Sequence, residues 1–321
     1  MTNSSKTLLE AFQVRKTKKQ KEAFRAWLCG ELERAGYAPR VERHRGLCTS
    51  HNVVAGDPER AELLFTAHYD TCAVLPFPNF ITPRNLFWYL VYQLIFVAFF
   101  FALGIAAEIA VILLFDPPLW VCLAAMYAVL GFCVWWMLTG KANRHTANDN
   151  TSGVLTLLEI ALALPPEDRD RACFVFFDNE EKGLFGSAAF AAAHPRVRRE
   201  TLLLNFDCVG DGDHIHFFPS RAVKRDPDAL RRLEAAFPGR GEKTSGIVTG
   251  FGFYPSDQAR YRRGVGVCAL KKSRIFGYYM DRIHTPRDTV LEEANIALLR
   301  DGALALAGWP AGREAPSERL T

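Results

Sequence analysis

A chain of 321 residues with a formal charge of +4 is long enough to bury a core, as one large α/β domain or as two smaller ones. The charge is too modest for a nucleic-acid partner, and the Lys/Arg clusters at Arg15 to Lys21 and Arg196 to Arg199 are interspersed with apolar positions, so they read as solvated helix faces or membrane-surface contacts. Eight cysteines without a C-x-x-C pair, two of them (Cys122 and Cys133) inside an apolar segment, exclude a disulfide framework or a zinc ribbon and read as reduced, buried thiols of a cytosolic compartment.

Met1 to Lys21 is polar and basic without an apolar stretch of signal-peptide length, so no secretory leader is expected. Glu62 to Ala67 is a short apolar run, read as a strand ending at His68. In the H-x-D that follows, Asp70 can orient the imidazole or fix its tautomer. Taken singly, a surface or core histidine is the commoner reading of such a motif.

The composition then changes abruptly. Leu86 to Phe115 carries Glu108 as its only charge, and Leu119 to Leu138 carries none. A bilayer core of ~30 Å needs about 20 apolar helical residues, so each segment can cross. The connector Asp116-Pro117-Pro118 permits only a tight hairpin. The competing reading is two core helices of a soluble lid, which would need apolar cover that the remaining chain does not spare. Trp88, Tyr89, Tyr92, Trp120, Trp135 and Trp136 lie towards the segment ends, where amphipathic rings favour the interface. Arg84 precedes the hairpin and Lys141 and Arg144 follow it, while the connector has no Lys or Arg, so both soluble flanks are expected in the cytoplasm. The first segment exceeds the length of a span, which lets Glu108 reach the far interface; the alternative is a buried polar role facing the second helix or a substrate.

After the hairpin, Asp149 stands in the turn-rich stretch Ala147 to Gly153, placed either to cap the next helix or to bridge two ions. Val154 to Leu164 reads as a helix stopped by Pro165-Pro166, and Ala172 to Phe177 as a buried strand just before Glu180-Glu181. Adjacent side chains there diverge, so one carboxylate can coordinate a metal while the other faces water as a general base. Ser187 to Ala193 is helical, with Pro195 as its stop. Leu202 to Phe206 is a strand ending at Asp207, where an unpaired charge is costly and a metal or salt bridge is favoured. His214 and His216 alternate with Ile215 and Phe217 as ordinary strand positions. Val265 to Leu270 is a further strand, His284 stands in a constrained loop before Thr285-Pro286, and Ala294 to Ala307 is a closing helix. The alternation predicts an α/β fold, a sheet with helices on both faces, whose ligands gather beyond the strands' carboxyl ends.

His68, Asp149, Glu181, Asp207 and His284 are each weak signals alone, but they share this strand-end or loop-end context. Three carboxylates and two imidazoles can hold two divalent ions if one carboxylate bridges, leaving an open position for water. Glu180 adjoins a ligand without needing to be one.

In this order the motifs, above all N-D-N-x-S-G from Asn148 and E-E-x-G-L-x-G-S from Glu180, resemble the co-catalytic zinc aminopeptidases, metallopeptidase family twenty-eight, which also holds glutamate carboxypeptidases and glutaminyl cyclases. The resemblance runs from about Lys18 to Ala307. It implies a three-layer mixed sheet of the zinc-exopeptidase type, with residues 1–83 and 140–321 as one discontinuous catalytic domain and 84–139 as an inserted transmembrane hairpin. It implies two zinc ions, one held by His68 and Asp207 and the other by Glu181 and His284, with Asp149 bridging, Glu180 as base and Asp70 supporting catalysis. A cis peptide between Asp149 and Asn150 is also implied, and Ser256-Asp257 matches a family position near the substrate pocket. Where several relatives carry a tyrosine before the last histidine, this chain has Ile283, leaving Tyr254, Tyr278 or Tyr279 as substitutes.

The expectation is therefore a membrane-anchored di-zinc aminopeptidase acting on peptides. A glutaminyl-cyclase-like aminoacyl transferase on one zinc is opposed by the retention of both His68 and Asp207. An inactive membrane-bound binding protein of the same fold is opposed by the full set of ligands.

Overall fold

The computed structural model describes residues 2–308. Nine strands form one mixed sheet: β1 (Arg40–His44), β2 (Ser50–Ala55), β3 (Leu63–His68), β4 (Ala172–Phe177), β5 (Leu202–Phe206), β6 (His214–Pro219), β7 (Thr244–Ile247), β8 (Gly264–Ser273) and β9 (Gly277–Tyr279). Their order is β1-β2-β4-β3-β5-β8-β6-β7, with β9 pairing β8. At the centre β4, β3, β5 and β8 run parallel, flanked by antiparallel neighbours.

Every residue of β3, β4 and β5 is buried, which is why these strands read as unbroken apolar runs. Alternate side chains serve opposite faces. Phe65, Phe174, Phe176 and Leu204 join one core cluster, while Leu64, Val175, Phe177 and Leu203 join another.

The helices are α1 (Asn3–Ala11), α2 (Lys18–Arg34), α3 (Leu86–Phe115), α4 (Leu119–Thr139), α5 (Gly153–Ala163), α6 (Phe185–Ala193), α7 (Pro195–Glu200), α8 (Arg221–Lys224), α9 (Pro227–Ala236) and α10 (Glu293–Ala307). Residues of α1, α2, α5, α9 and α10 fill the first cluster, and Phe190, Ala191 and Val197 of α6 and α7 the second. The sheet thus carries helices on both faces. Helix α2 begins with a capping box, in which Thr17 Oγ1 accepts from the Gln20 N–H at 3.3 Å and Gln20 Oε1 accepts from the Thr17 N–H at 2.9 Å.

Boundaries differ from the sequence pattern by up to three residues, as at β8, which runs on to Ser273, while β3 ends at His68 as expected. His214 and His216 lie within β6, as expected. The basic cluster from Arg15 to Lys21 departs in part from the expectation of a solvated face: Lys18 and Lys19 are exposed, but Arg15 is 0% exposed and Lys21 is buried too. Charge pattern signals solvent only while no polar partner waits inside. Here Lys21 Nζ donates to Asp178 and Asn179, and Arg15 donates to the Tyr69 carbonyl and, at 3.1 Å, to Thr151 Oγ1. The cysteines are all free, but Cys29, Cys48 and Cys133 are only half-buried.

Helices α3 and α4 are long and apolar enough to cross a membrane, and only 6% of the most apolar window of each is buried. They pack against each other. Gly104 lets Met126 approach, since a Cβ there would lie 2.9 Å from Met126 Cγ. Asp116, in the left-handed region at φ 43°, ends α3. The chain leaves and re-enters the body through two adjacent segments joined by an isolated bridge between Ala73 and Ala142, with Val74 donating to the Lys141 carbonyl at 2.8 Å and Asn143 to the Cys72 carbonyl at 3.2 Å. The first turns of α3 are also held from the side: Trp88 Nε1 donates to the Ile275 carbonyl at 3.0 Å, Tyr89 packs on Phe253, and the Tyr92 hydroxyl donates to the Pro78 carbonyl.

Candidate metal centre

The parallel register brings the carboxyl ends of three strands side by side. His68 pairs with Phe177, so Glu180 and Glu181 follow immediately alongside it. Thr66 pairs with Asn205, which places Asp207 on the other flank. Asp149 enters from the irregular turn Ala147–Ser152 that leads into α5, with the expected cis peptide to Asn150. His284 arrives on a loop after β9, in the left-handed region at φ 63°.

These six side chains converge. Asp149 stands between the two imidazoles, its Oδ1 3.5 Å from His68 Nε2 and its Oδ2 3.0 Å from His284 Nε2. His68 Nε2 also lies 3.6 Å from Asp207 Oδ1 and 4.0 Å from Glu180 Oε2. Glu181 Oε2 is 3.5 Å from His284 Nε2. Ligand atoms of His68, Asp149 and Asp207 all lie within 4.8 Å of one another, as do those of His68, Glu180 and Glu181 and those of Cys72, Glu181 and His284.

A model of peptidase family M28 matches residues 135–307, more than half of the chain. The chain belongs to peptidase family M28. The matched stretch contains Asp149, Glu180, Glu181, Asp207 and His284 and leaves His68 outside. Among solved structures, the chain is similar to the glutaminyl cyclase of Porphyromonas gingivalis, with a TM-score of 0.59 at 18% identity over 95% of this chain and 96% of that one. A zinc-dependent exopeptidase of Parabacteroides distasonis gives 0.57 at 16% identity over 95% of this chain and 94% of that one. The LapA aminopeptidase of Legionella pneumophila gives 0.54 at 15% identity over 95% of this chain and 69% of that one. At such identities these likenesses show the fold. No curated protein matches the chain.

The M28 cluster is held by contacts from behind. The His68 Nδ1 faces the Asp70 carbonyl at 3.1 Å, which leaves Nε2 for the cluster. The Asp70 carboxylate lies 3.7 Å from the same Nδ1 and also accepts the backbone N–H groups of Glu180 and Glu181 at 2.9 and 3.3 Å. Asp70 thus stands behind the imidazole, as expected, and also positions the glutamate pair. Asp288 does the same for the bridging turn, accepting the N–H groups of Asn148 and Asp149 at 2.7 and 3.0 Å. Asn150 ties that turn to β5 through a 3.0 Å bond to the Phe206 carbonyl. Asp288, Asn150 and Arg15 carry no local sequence signal for these roles, since their partners are distant along the chain.

Electrostatics favour a cation at this point. Burial pushes the Glu181 carboxyl up to about 8, with His284 pulling against it and Asp149 adding to it. Glu180 is raised well above the usual carboxylate range by burial, opposed by His68 and reinforced by Glu181, Asp207 and Asp257. Burial works against charge on His284, yet Glu181 and Asp149 carry it up to about 9. His68 is raised in the same way by Glu180, Asp149 and Asp207 against its burial. Protons are thus the countercharges of a crowded acidic cluster, and a divalent ion replaces them with a larger one. Glu181 Oε1 is buried with no hydrogen-bond partner among the described residues. The mixture of imidazole and carboxylate suits zinc.

A cavity of about 330 Å³ opens on the cluster, lined also by Asn79, Ile81, Tyr254 and Ile283. Of the three candidate tyrosines only Tyr254 lines it, with its hydroxyl donating to the Asp207 carbonyl at 3.0 Å. Tyr278 packs on His216 and Tyr279 on Phe80. Pro255 lines the cavity, whereas Asp257 is wholly buried and Ser256 accepts a bond from Asn205 at 3.0 Å.

Proposed function

We propose that this M28 protein is a membrane-anchored zinc exopeptidase, an aminopeptidase acting on peptides, with two ions bridged by Asp149. The carrying observation is that each Asp149 oxygen faces a different imidazole. His68 and Asp207 would hold one zinc, and Glu181 and His284 the other. When bound, the ions supply Lewis-acid polarisation of the scissile carbonyl and acidify water. Glu180 takes the proton of the attacking water and passes it to the leaving amine; its burial within the cluster raises its hold on that proton. Asp70 keeps the glutamate pair in place, and the buried surroundings limit competing water.

Two apolar helices support anchoring in a bilayer, and the Lys/Arg bias of Arg84, Lys141 and Arg144 supports a cytoplasmic catalytic body. In detergent-purified protein, Glu180→Gln should lower turnover about 10²- to 10⁴-fold while zinc content stays unchanged. Undiminished turnover removes Glu180 from this role. Preference for N-blocked over free-amine peptides overturns the aminopeptidase assignment.

The likeness to a glutaminyl cyclase favours a second reading, aminoacyl transfer on a single zinc. One ion per chain, with cyclisation of N-terminal glutamine, would select it.

A further inference from the structure

The zinc reading leaves one donor unused. Cys72, four residues beyond His68, is buried and free. Its Sγ belongs to a group with Glu181 and His284 in which all ligand atoms lie within 4.8 Å of one another. The sulfur borders a small cavity of about 130 Å³, whose wall also contains Glu181, His284, Lys16 and Leu138. Asp149 Oδ2, 3.0 Å from His284 Nε2, adjoins this group through the imidazole. In a tetrahedral zinc site, ligand atoms stand roughly 3.3–3.7 Å apart given the usual Zn–N, Zn–O and Zn–S distances. The three donors Cys72, Glu181 and His284 stand within 4.8 Å of one another, so side-chain movement of about 1 Å brings them to that range. The backbone of Cys72 is fixed independently of any ion, since its carbonyl accepts from Asn143 at 3.2 Å.

Resting on the two-ion reading, we propose that Cys72 is a thiolate ligand of the ion held by Glu181 and His284. That ion then has four protein donors, Cys72, Asp149, Glu181 and His284, and is closed. The ion at His68 has three, His68, Asp149 and Asp207, and keeps an open position. The two halves divide the labour: an open ion for chemistry and a closed one that braces Asp149. A thiolate also biases this half towards zinc over magnesium, calcium or manganese. Cys208 is the natural control. Its Sγ lies 3.2 Å from Asp207 Oδ1 in the other half, where it acts as a hydrogen-bond donor to a carboxylate.

Zinc-edge X-ray absorption on the detergent-purified full chain, with zinc quantified, tests this without relying on activity. Wild type should show a sulfur shell near ~2.3 Å, one sulfur shared over two ions. Cys72→Ser should lose that shell, and Cys208→Ser should keep it. A nitrogen and oxygen shell alone in wild type with two zinc ions per chain overturns the thiolate and leaves the two-ion reading intact. A sulfur shell that survives Cys72→Ser also overturns it. One zinc per chain with a sulfur shell retains the thiolate and removes the bridged pair, and zinc-free protein removes both. Where Cys72→Ser fails to fold, the wild-type spectrum decides.

Discussion

The cluster beyond β3, β4 and β5 and the pair α3–α4 are opposites. In the first, charged groups are buried (His68, Asp149, Asp207) or half-buried (Glu180, Glu181, His284), and almost every one is held twice, once by its neighbours in the cluster and once by a backbone contact behind it. In the second, apolar side chains such as Leu94, Leu113, Phe115 and Trp120 are exposed along both helices. Each would be unstable alone in water: buried charge needs countercharge, and exposed apolar surface needs apolar solvent. On the proposed reading, the two regions would take different external partners, ions for one and lipid for the other.

The contrast breaks most completely at Asp149. Asp149→Ala should release both ions and abolish hydrolysis, read as zinc content after gel filtration; a variant that keeps two zinc ions shows that the bridge lies elsewhere. Asp288→Ala removes the acceptors of two N–H groups without touching a donor atom, and should weaken zinc about 10- to 100-fold in a competition titration with a chelator. Unchanged affinity would show that the turn holds itself.

Acidity sharpens the comparison further. In zinc-free protein the folded pKa of His284 rises from 6.5 to about 9, so its stabilising contribution is complete below 6.5 and disappears as pH climbs through about 9. Glu181, raised from 4.5 to about 8, loses its contribution in the same direction as pH rises through about 8. The melting temperature of zinc-free protein should therefore fall from about pH 4.5, where Glu181 begins to matter, to about 9, while that of zinc-loaded protein falls less. A constant gap between the two curves counts against proton displacement by metal. The smallest effect belongs to the hairpin, where Gly104→Leu crowds Met126. It should cost about 1–3 kcal/mol of packing, seen as a lower melting temperature in detergent at unchanged zinc content.

His68, Asp207 and the glutamate pair were legible because β3, β4 and β5 are buried on both faces and announce their ends. Asp149 was legible only as part of a motif, since a turn aspartate alone has commoner uses. Asp288 was not, because the N–H groups it accepts lie 140 and 139 residues away in sequence. Arg15 misled, because a basic run looks solvated until its carbonyl and hydroxyl partners are in place. Helix α2 escaped notice for a related reason: Phe24, Leu28 and Leu32 mark a buried face, but charged residues surround them. Cys72 carried no pattern at all, and only the fold sets it beside His284.

The unequal lengths of α3 and α4 set a height for the cavity. With 30 and 21 residues sharing a tight connector, α3 overhangs its partner by roughly 13 Å at 1.5 Å per residue. That overhang is the stretch gripped by Ile275, Phe253 and Pro78. Pro78 adjoins Asn79 on the cavity wall, and Tyr92, which holds it, is about one helical turn from the point where α3 gains its companion. If lipid surrounds the paired stretch, the mouth opens at headgroup level. A chain end protruding only a few residues from the bilayer would then be within grasp, and a long soluble tail would confer no advantage.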